Sequence, residues 1–230
     1  MTLYLTDLNA DAPAKPVIGP EPRRQPAPTG IYRAGFKRML DLVLVVVSAP
    51  FSVPLILLLA LLVMTDGHRP FYTQLRVGRN GKSFRLWKLR TMVPDADRIL
   101  EEYLARNPVA RLEWNATQKL KCDPRITPVG RLLRKISLDE LPQLINVLNG
   151  TMSLVGPRPM MVSQKPFYPG TAYYDLRPGI TGLWQISDRN DCDFAGRAPY
   201  DERYHQVLSF WTDLVILLRT VAVVLRGTGY

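Results

Sequence analysis

Apolar side chains fill residues 42–64 without one charge among them. As a straight helix these 23 residues would extend about 35 Å, enough to cross a hydrocarbon core of about 30 Å. The pattern then changes period. Residues 71–77 and 82–89 are rich in β-formers and flank Asn80-Gly81, a dipeptide that favours a tight hairpin. In "PDADRILEEYLARNP" the apolar Ile99, Leu100, Tyr103 and Leu104 recur at the helical period behind a proline and acids, which predicts an amphipathic helix. Residues 123–135 and "SLDELPQLINVLNG" (137–150) come next. "MSLVGPRP" reads as a short strand entering a rigid turn and "RPGITG" as a turn. Residues 210–224 are apolar except for Asp213 and Arg219, so they predict a helix lying on a membrane surface or packed on the domain.

Two prolines complicate the long apolar run. Pro50 and Pro54 remove the amides that would reach the carbonyls of Val46 and Pro50, which predicts a kink or break near the middle. Ser48 and Ser52 sit where their hydroxyls can satisfy the freed backbone. Charge makes the second argument. Lys37 and Arg38 flank one end, and residues 69–90 past the other contain seven basic residues and no acid. The positive-inside rule therefore pulls both ends to the cytoplasm. A helical hairpin entering and leaving by one face satisfies both arguments; a kinked single span is the alternative.

The chain carries 30 Lys and Arg against 20 Asp and Glu, a net charge of +10. Such a balance attracts nucleic acid, acidic headgroups or a phosphorylated substrate, and the apolar run favours the membrane and the phosphate over nucleic acid. Cys122 and Cys192 lack disulfide-framework or zinc spacing and read as reduced thiols of a cytoplasmic compartment. Residues 1–34 hold six prolines and no sustained apolar period, which predicts a disordered leader rather than a signal peptide.

Asp139 and Glu140 are the candidate chemistry. As structure, "SLDE" has the capping-box spacing of Ser137 and Glu140, and Asp139 could itself cap a helix with Pro142 in its first turn, for about 1 kcal/mol. Capping and chemistry are compatible, because a carboxylate at a helix N-terminus is favoured in its ionised form. An ionised Asp can attack phosphorus to give an acyl phosphate, and a neighbouring Glu can hold Mg²⁺. Phosphoryl transfer also needs cations. Arg134, Lys88 and Arg90 in "WKLRTM", and Arg158 between two prolines in "GPRP" are the candidates.

Four ordered blocks, "KRMLDLVLVVVSAPFSVPLILLLALLV", "RVGRNGKSFRLWKLRTM", "DPRITPVGRLLRKISLDELPQLINVLNGTMSLVGPRP" and "LRPGITGLWQISDRN", resemble the bacterial sugar transferases, monotopic polyprenyl-phosphate phosphoglycosyl transferases. The resemblance implies transfer of a sugar-1-phosphate from a UDP-sugar to undecaprenyl phosphate with release of UMP. It implies Asp139 as the nucleophile, Glu140 as the Mg²⁺ ligand, and Arg134, Arg158, Lys88 and Arg90 as phosphate-binding or basic positions of the signature blocks. The family's membrane segment breaks at a Ser-Pro pair. Here Pro54 follows Val53 with Ser52 one place earlier, and Pro50 is an extra breaker. The whole-length pattern looks most like exopolysaccharide enzymes that transfer galactose-1-phosphate.

The expected architecture is α+β and mainly helical: a leader (1–34), a re-entrant membrane helix-break-helix (35–66), and a cytoplasmic catalytic domain (67–227) with a small β-hairpin and interfacial amphipathic helices. The expected location is the cytoplasmic face of the bacterial inner membrane. Expected partners are a UDP-sugar, undecaprenyl phosphate and membrane lipids, with a homodimer also compatible and no nucleic acid. His68 reads as interfacial and His205 as part of a polar helix face, and neither suggests a metal. Trp184 reads as core or interfacial before it reads as a ligand-lining residue. A non-catalytic membrane-surface protein, with "SLDE" only a cap, is the rival reading.

Overall fold

The computed structural model describes residues 30–117, 120–187 and 194–225. The predicted leader and Cys192 lie almost wholly or wholly outside them. A mainly helical domain surrounds two small sheets, as the α+β expectation requires. Helix α1 (Lys37–Val63) is followed by strands β1 (Phe71–Val77) and β2 (Ser83–Leu89), antiparallel with Phe71 opposite Leu89 and Val77 opposite Ser83. The hairpin turns where Asn80-Gly81 predicts, with Asn80 at φ 57° and Gly81 at φ 73°.

Helices α2 (Ala96–Arg106) and α3 (Pro108–Thr117) form a satellite in which Leu100, Leu104 and Ala110 are buried. Helix α4 (Pro128–Lys135) lies within the stretch 123–135, and Thr127 caps it by accepting from the Gly130 amide at 2.9 Å, with Pro128 in the first turn. Helix α5 (Gln143–Leu148) and strand β3 (Ser153–Val155) lead into "GPRP". "RPGITG" does more than turn. After α6 (Ala172–Asp175), its Gly179–Thr181 forms strand β4, parallel to β3 with Ser153 opposite Gly179. The two backbones meet closely enough that a Cβ on Gly179 would fall 2.1 Å from the Gly156 nitrogen. Short α7 (Leu183–Ile186), α8 (Ala198–Val207) and α9 (Phe210–Leu225) complete the fold. Trp184 is buried, with the Arg197 guanidinium 4.3 Å from its ring centroid. His205 is also buried, with its ring 3.6 Å from Asp175, rather than lying on a polar face.

The expected helix-break-helix at Ser52, Pro50 and Pro54 is not a break in secondary structure. Helix α1 runs through both prolines. The Ser48 hydroxyl donates to the Val45 carbonyl at 3.0 Å, one residue before the carbonyl that Pro50 deprives of its amide. The two missing amides leave the other i to i−4 bonds in place, so an apolar helix held at both ends can continue through them.

Both ends of α1 are held by the same domain. At the first, Asp41 accepts from the Ser153 hydroxyl at 2.7 Å and the Leu154 amide at 3.1 Å, Arg38 reaches the Val147 and Leu148 carbonyls, and Val45 packs with Phe84, Leu86, Val147 and Met152. At the other, Leu59, Ala60 and Val63 pack with Leu89 and Leu133. Strand β2 therefore serves both ends, through Leu86 and Leu89. Between them Val46, Val47, Phe51, Leu57 and Leu58 are exposed, Phe51 by 82%. Asp213, the acid that interrupts the C-terminal apolar stretch, is buried and accepts from Tyr32 and Lys37 at 2.6 Å and from Tyr204 at 2.7 Å. It joins the start of α1 to α9.

Candidate active site

The acid pair sits on a turn built from three neighbours. Ser137 follows α4 in the left-handed region, at φ 57° and ψ 23°, and Leu138–Glu140 form a single 3₁₀ turn behind it. This overturns the capping reading. The Ser137 side chain makes no cap bond, the N-cap of α5 is Pro142, and no side chain caps that helix. Both carboxylates are thus free of the structural job that their spacing suggested. A non-glycine residue held in the left-handed region costs of order 1 kcal/mol and persists where surrounding contacts impose it.

Those contacts come from β2. Asn146 of α5 is 1% exposed, and its side chain treats the strand edge as a ladder partner: Oδ1 accepts from the Trp87 amide at 3.0 Å, and Nδ2 donates to the Arg85 carbonyl at 2.8 Å. That pair of bonds fixes α5, and with it the preceding acidic turn, against the end of β2. Phe84 and Leu86 face the core from β2, and two residues on, Lys88 presents an ammonium from the same side.

The Lys88 Nζ lies 2.8 Å from Glu140 Oε1 and 3.4 Å from Asp139 Oδ2. Arg158 Nη2 lies 3.2 Å from the same Glu140 oxygen. It is carried there by the turn after β3, where Gly156 donates to the Thr181 carbonyl and Gly179 to the Pro157 carbonyl, both at 2.8 Å. Arg134, near Asp139, is steadied by the Thr91 hydroxyl, which accepts from its Nε at 2.8 Å. The structure therefore gathers Asp139, Glu140, Lys88, Arg134 and Arg158. Arg90 goes elsewhere: its fork grips Asp66, at 2.8 and 2.5 Å, and its Nε donates to the Arg69 carbonyl, so it ties the end of α1 to the hairpin.

The two acids are tuned apart. Burial, the largest influence, pushes the Asp139 carboxyl above the usual range, and the Glu140 charge adds to the push, while Lys88 and Arg134 oppose both. Burial pushes Glu140 upward too, but Lys88 and Arg158 outweigh it and bring Glu140 down to about 2. Glu140 is the fixed anion of the pair. Asp139 depends on its cations to stay ionised. For a metal, the site offers only hard carboxylate oxygens, and among the described residues no group of three or more His, Cys, Asp or Glu gathers. Such a sparse oxygen set fits Mg²⁺, which keeps waters and takes further oxygens from substrate phosphates.

Sequence reasoning missed Asn146, Thr91 and Arg76. Asn146 reads as one polar residue in an apolar helix, and Thr91 as part of a basic block. Arg76 was legible in part: with the hairpin centred on Asn80-Gly81, residues pair across the turn so that Arg76 and Lys88 fall on one face.

The model of the family described as bacterial sugar transferase matches residues 32–227, and the chain belongs to that family. The exopolysaccharide production protein ExoY of Rhizobium meliloti is 47% identical over 196 residues, 84% of this chain and 87% of the relative. An undecaprenyl-phosphate galactose phosphotransferase of Salmonella typhimurium is 47% identical over 195 residues, 84% of this chain and 41% of the relative. A UDP-galactose-lipid carrier transferase of Erwinia amylovora is 46% identical over a stretch of the same length, again covering 41% of the relative. The protein is accordingly a transferase, and the reading of a non-catalytic surface protein falls.

Proposed function

We propose that this enzyme transfers a sugar-1-phosphate, and specifically galactose-1-phosphate, from a UDP-sugar to undecaprenyl phosphate, releasing UMP as the first membrane step of exopolysaccharide synthesis. The observation that carries the reading is a buried Asp139 beside a Glu140 whose charge is held by Lys88 and Arg158. Relatives whose names specify galactose and a lipid carrier support the sugar and the acceptor.

In the first half-reaction an Asp139 carboxylate oxygen forms a bond to the β-phosphorus, and the bond from that phosphorus to the bridging oxygen breaks. UMP leaves with the electron pair. Lys88 and Arg134 keep Asp139 ionised for the attack, and Arg158 offsets charge on the phosphoryl oxygens. When bound, Mg²⁺ would be held by Glu140 and would supply positive charge beside the phosphates. In the second half-reaction an oxygen of the lipid phosphate attacks the same phosphorus, the acyl-phosphate bond breaks, and Asp139 recovers its carboxylate.

The site serves a lipid acceptor because α1 sits in one leaflet, entering and leaving by the cytoplasmic face of the inner membrane. Strand β2 has seven residues and is about 23 Å long, shorter than a hydrocarbon core of about 30 Å, yet its residues pack against both ends of α1. A domain on both sides of a bilayer could not make those contacts. Helix α9 adds a second apolar surface through exposed Trp211, Val215, Leu218 and Leu225, spaced along one side. Of the basic residues between 69 and 90, the exposed Arg69, Arg79, Lys82 and Arg85 would meet anionic headgroups, each worth about 1 kcal/mol close to the surface.

The test is incubation of the purified protein with a panel of UDP-sugars, Mg²⁺ and undecaprenyl phosphate. UMP release with UDP-galactose is expected. Release with another sugar only would overturn the galactose assignment, and no release from any donor would overturn the reaction.

A further inference from the structure

The cations around the acid pair outnumber it. Lys88 and Arg158 contact Glu140, and Arg134 stands by Asp139. Arg76 brings a fourth positive charge. In the hairpin, Arg76 pairs with Phe84 and Tyr72 with Lys88, so Arg76 and Lys88 project from the same face, about 13 Å apart along the strands. The segment that follows Arg158 runs beside Arg76: the Val77 amide donates to the Met160 carbonyl at 3.0 Å, Arg76 bridges Met161, and Arg76 Nη1 donates to the Pro159 carbonyl at 3.4 Å. Arg76 thus lies along the turn that carries Arg158, with Glu140 within electrostatic reach of both.

Among the described residues no carboxylate forms an ion pair with Arg76. Its Nη2 donates to the neutral Gln74 amide at 2.5 Å, and its Nε is buried without a partner. Three cations therefore stand at the two carboxylates and a fourth, Arg76, lies within electrostatic reach of Glu140, a surplus of two positive charges in a partly dry site. Burying unmatched charge is costly unless a counter-charge arrives. A phosphate monoester carries about 1.5 to 2 negative charges at neutral pH, and a guanidinium binds it through paired N–H groups where an ammonium offers a point charge. Arginine in place of lysine on this strand suits that ligand.

We propose that Arg76 is a phosphate-binding residue of the transfer site, seating with Arg158 a phosphate group of the donor diphosphate or of the lipid monophosphate. This rests on the transfer reaction proposed above. A purely structural Arg76, bracing the 157–161 turn, would change stability or kcat without singling out a phosphate ligand.

The experiment uses the full chain in nanodiscs and compares wild type, Arg76→Gln, Arg76→Lys and, as a surface-charge control, Arg98→Gln. KM is measured for UDP-galactose, or for whichever panel donor the wild type turns over, and separately for undecaprenyl phosphate. Donor affinity is also measured with each Arg76 change placed in an Asp139→Asn background, where chemistry is blocked. The expected result is a rise of about tenfold or more in one of the two KM values for Arg76→Gln, a smaller rise for Arg76→Lys, and no change for Arg98→Gln. A donor effect matched by weaker donor binding assigns the seat to the diphosphate. An effect on the acceptor alone assigns it to the lipid phosphate. Both KM values within twofold of wild type, in a folded Arg76→Gln protein, overturn the proposal and leave the reaction intact. If Arg76→Gln fails to fold, Arg76→Lys decides by the same criterion. Failure of the wild type to release UMP overturns the reaction beneath it instead.

Discussion

The Lys88 ammonium sits 2.8 Å from Glu140 and 3.4 Å from Asp139, so one strand residue serves two acids that differ in their preference for a proton. In the proposed reaction Asp139 must be ionised to attack phosphorus, and Lys88 is the leading influence opposing burial there. Lys88→Met should raise the Asp139 pKa further. The low-pH limb of the kcat/KM profile then moves to higher pH, with activity lost as pH falls through that limb. A profile whose acid limb stays in place in an active Lys88→Met enzyme contradicts this role.

Glu140 links the same contacts to stability. Its folded pKa, about 2, lies below its ordinary value near 4.5. A group depressed in this way stabilises the folded state above pH 4.5, and the contribution is lost as pH falls from 4.5 towards 2. Glu140→Gln removes that dependence. Urea midpoints measured from pH 6 to pH 3 should fall more steeply for wild type than for the variant, and parallel curves would show that Lys88 and Arg158 do not hold the Glu140 charge.

Asn146 is expected to matter more than its place in an apolar helix suggests. Asn146→Ala leaves the Trp87 amide and Arg85 carbonyl of β2 without their partner, a loss of about 1 to 3 kcal/mol by chemical denaturation. Because α5 follows the acidic turn directly, UMP release at saturating donor should fall as well. Wild-type stability in Asn146→Ala would remove the strand-edge clamp from the account.

The single-leaflet seat proposed for α1 is open to labelling. Cysteine placed by Ile31→Cys or Met64→Cys, both exposed positions at opposite ends of the helix, should react with a membrane-impermeant maleimide in inside-out vesicles. Neither should react in intact spheroplasts. Reaction of one site from each side would make α1 a span.

Local signals carried much of the fold. The hairpin at Asn80-Gly81 and the amphipathic α2 follow from turn chemistry and period, each a matter of a few neighbouring residues. The acids, Lys88, Arg134 and Arg158 were legible as residue types fit for phosphoryl transfer and as parts of a family pattern, while their convergence depended on packing between β2, the acidic turn and the "GPRP" turn. The break that the prolines of α1 predict is not one in secondary structure, because loss of two amides is a local cost, whereas the anchoring of both helix ends through Asp41, Val45, Leu59 and Val63 is tertiary. Arg90 misled for a related reason: nothing in its block reveals that Asp66, 24 residues earlier, will claim its fork.

Removal of the proposed nucleophile should be decisive for rate and nearly silent for folding. Asp139→Asn keeps the shape and removes the attacking charge, so UMP release should drop by about 10³-fold or more with the melting temperature within a few degrees of wild type. Retained turnover in that variant would exclude Asp139 from covalent chemistry.

The most direct measurement is intact-protein mass spectrometry of the enzyme mixed with its UDP-sugar and Mg²⁺ in the absence of any lipid acceptor. A mass increase of one phosphosugar, mapped to the peptide containing Asp139 and discharged on adding undecaprenyl phosphate, is the predicted result. An enzyme that turns over fully when the lipid is supplied yet carries no such adduct without it, even after rapid quenching, would contradict the covalent account.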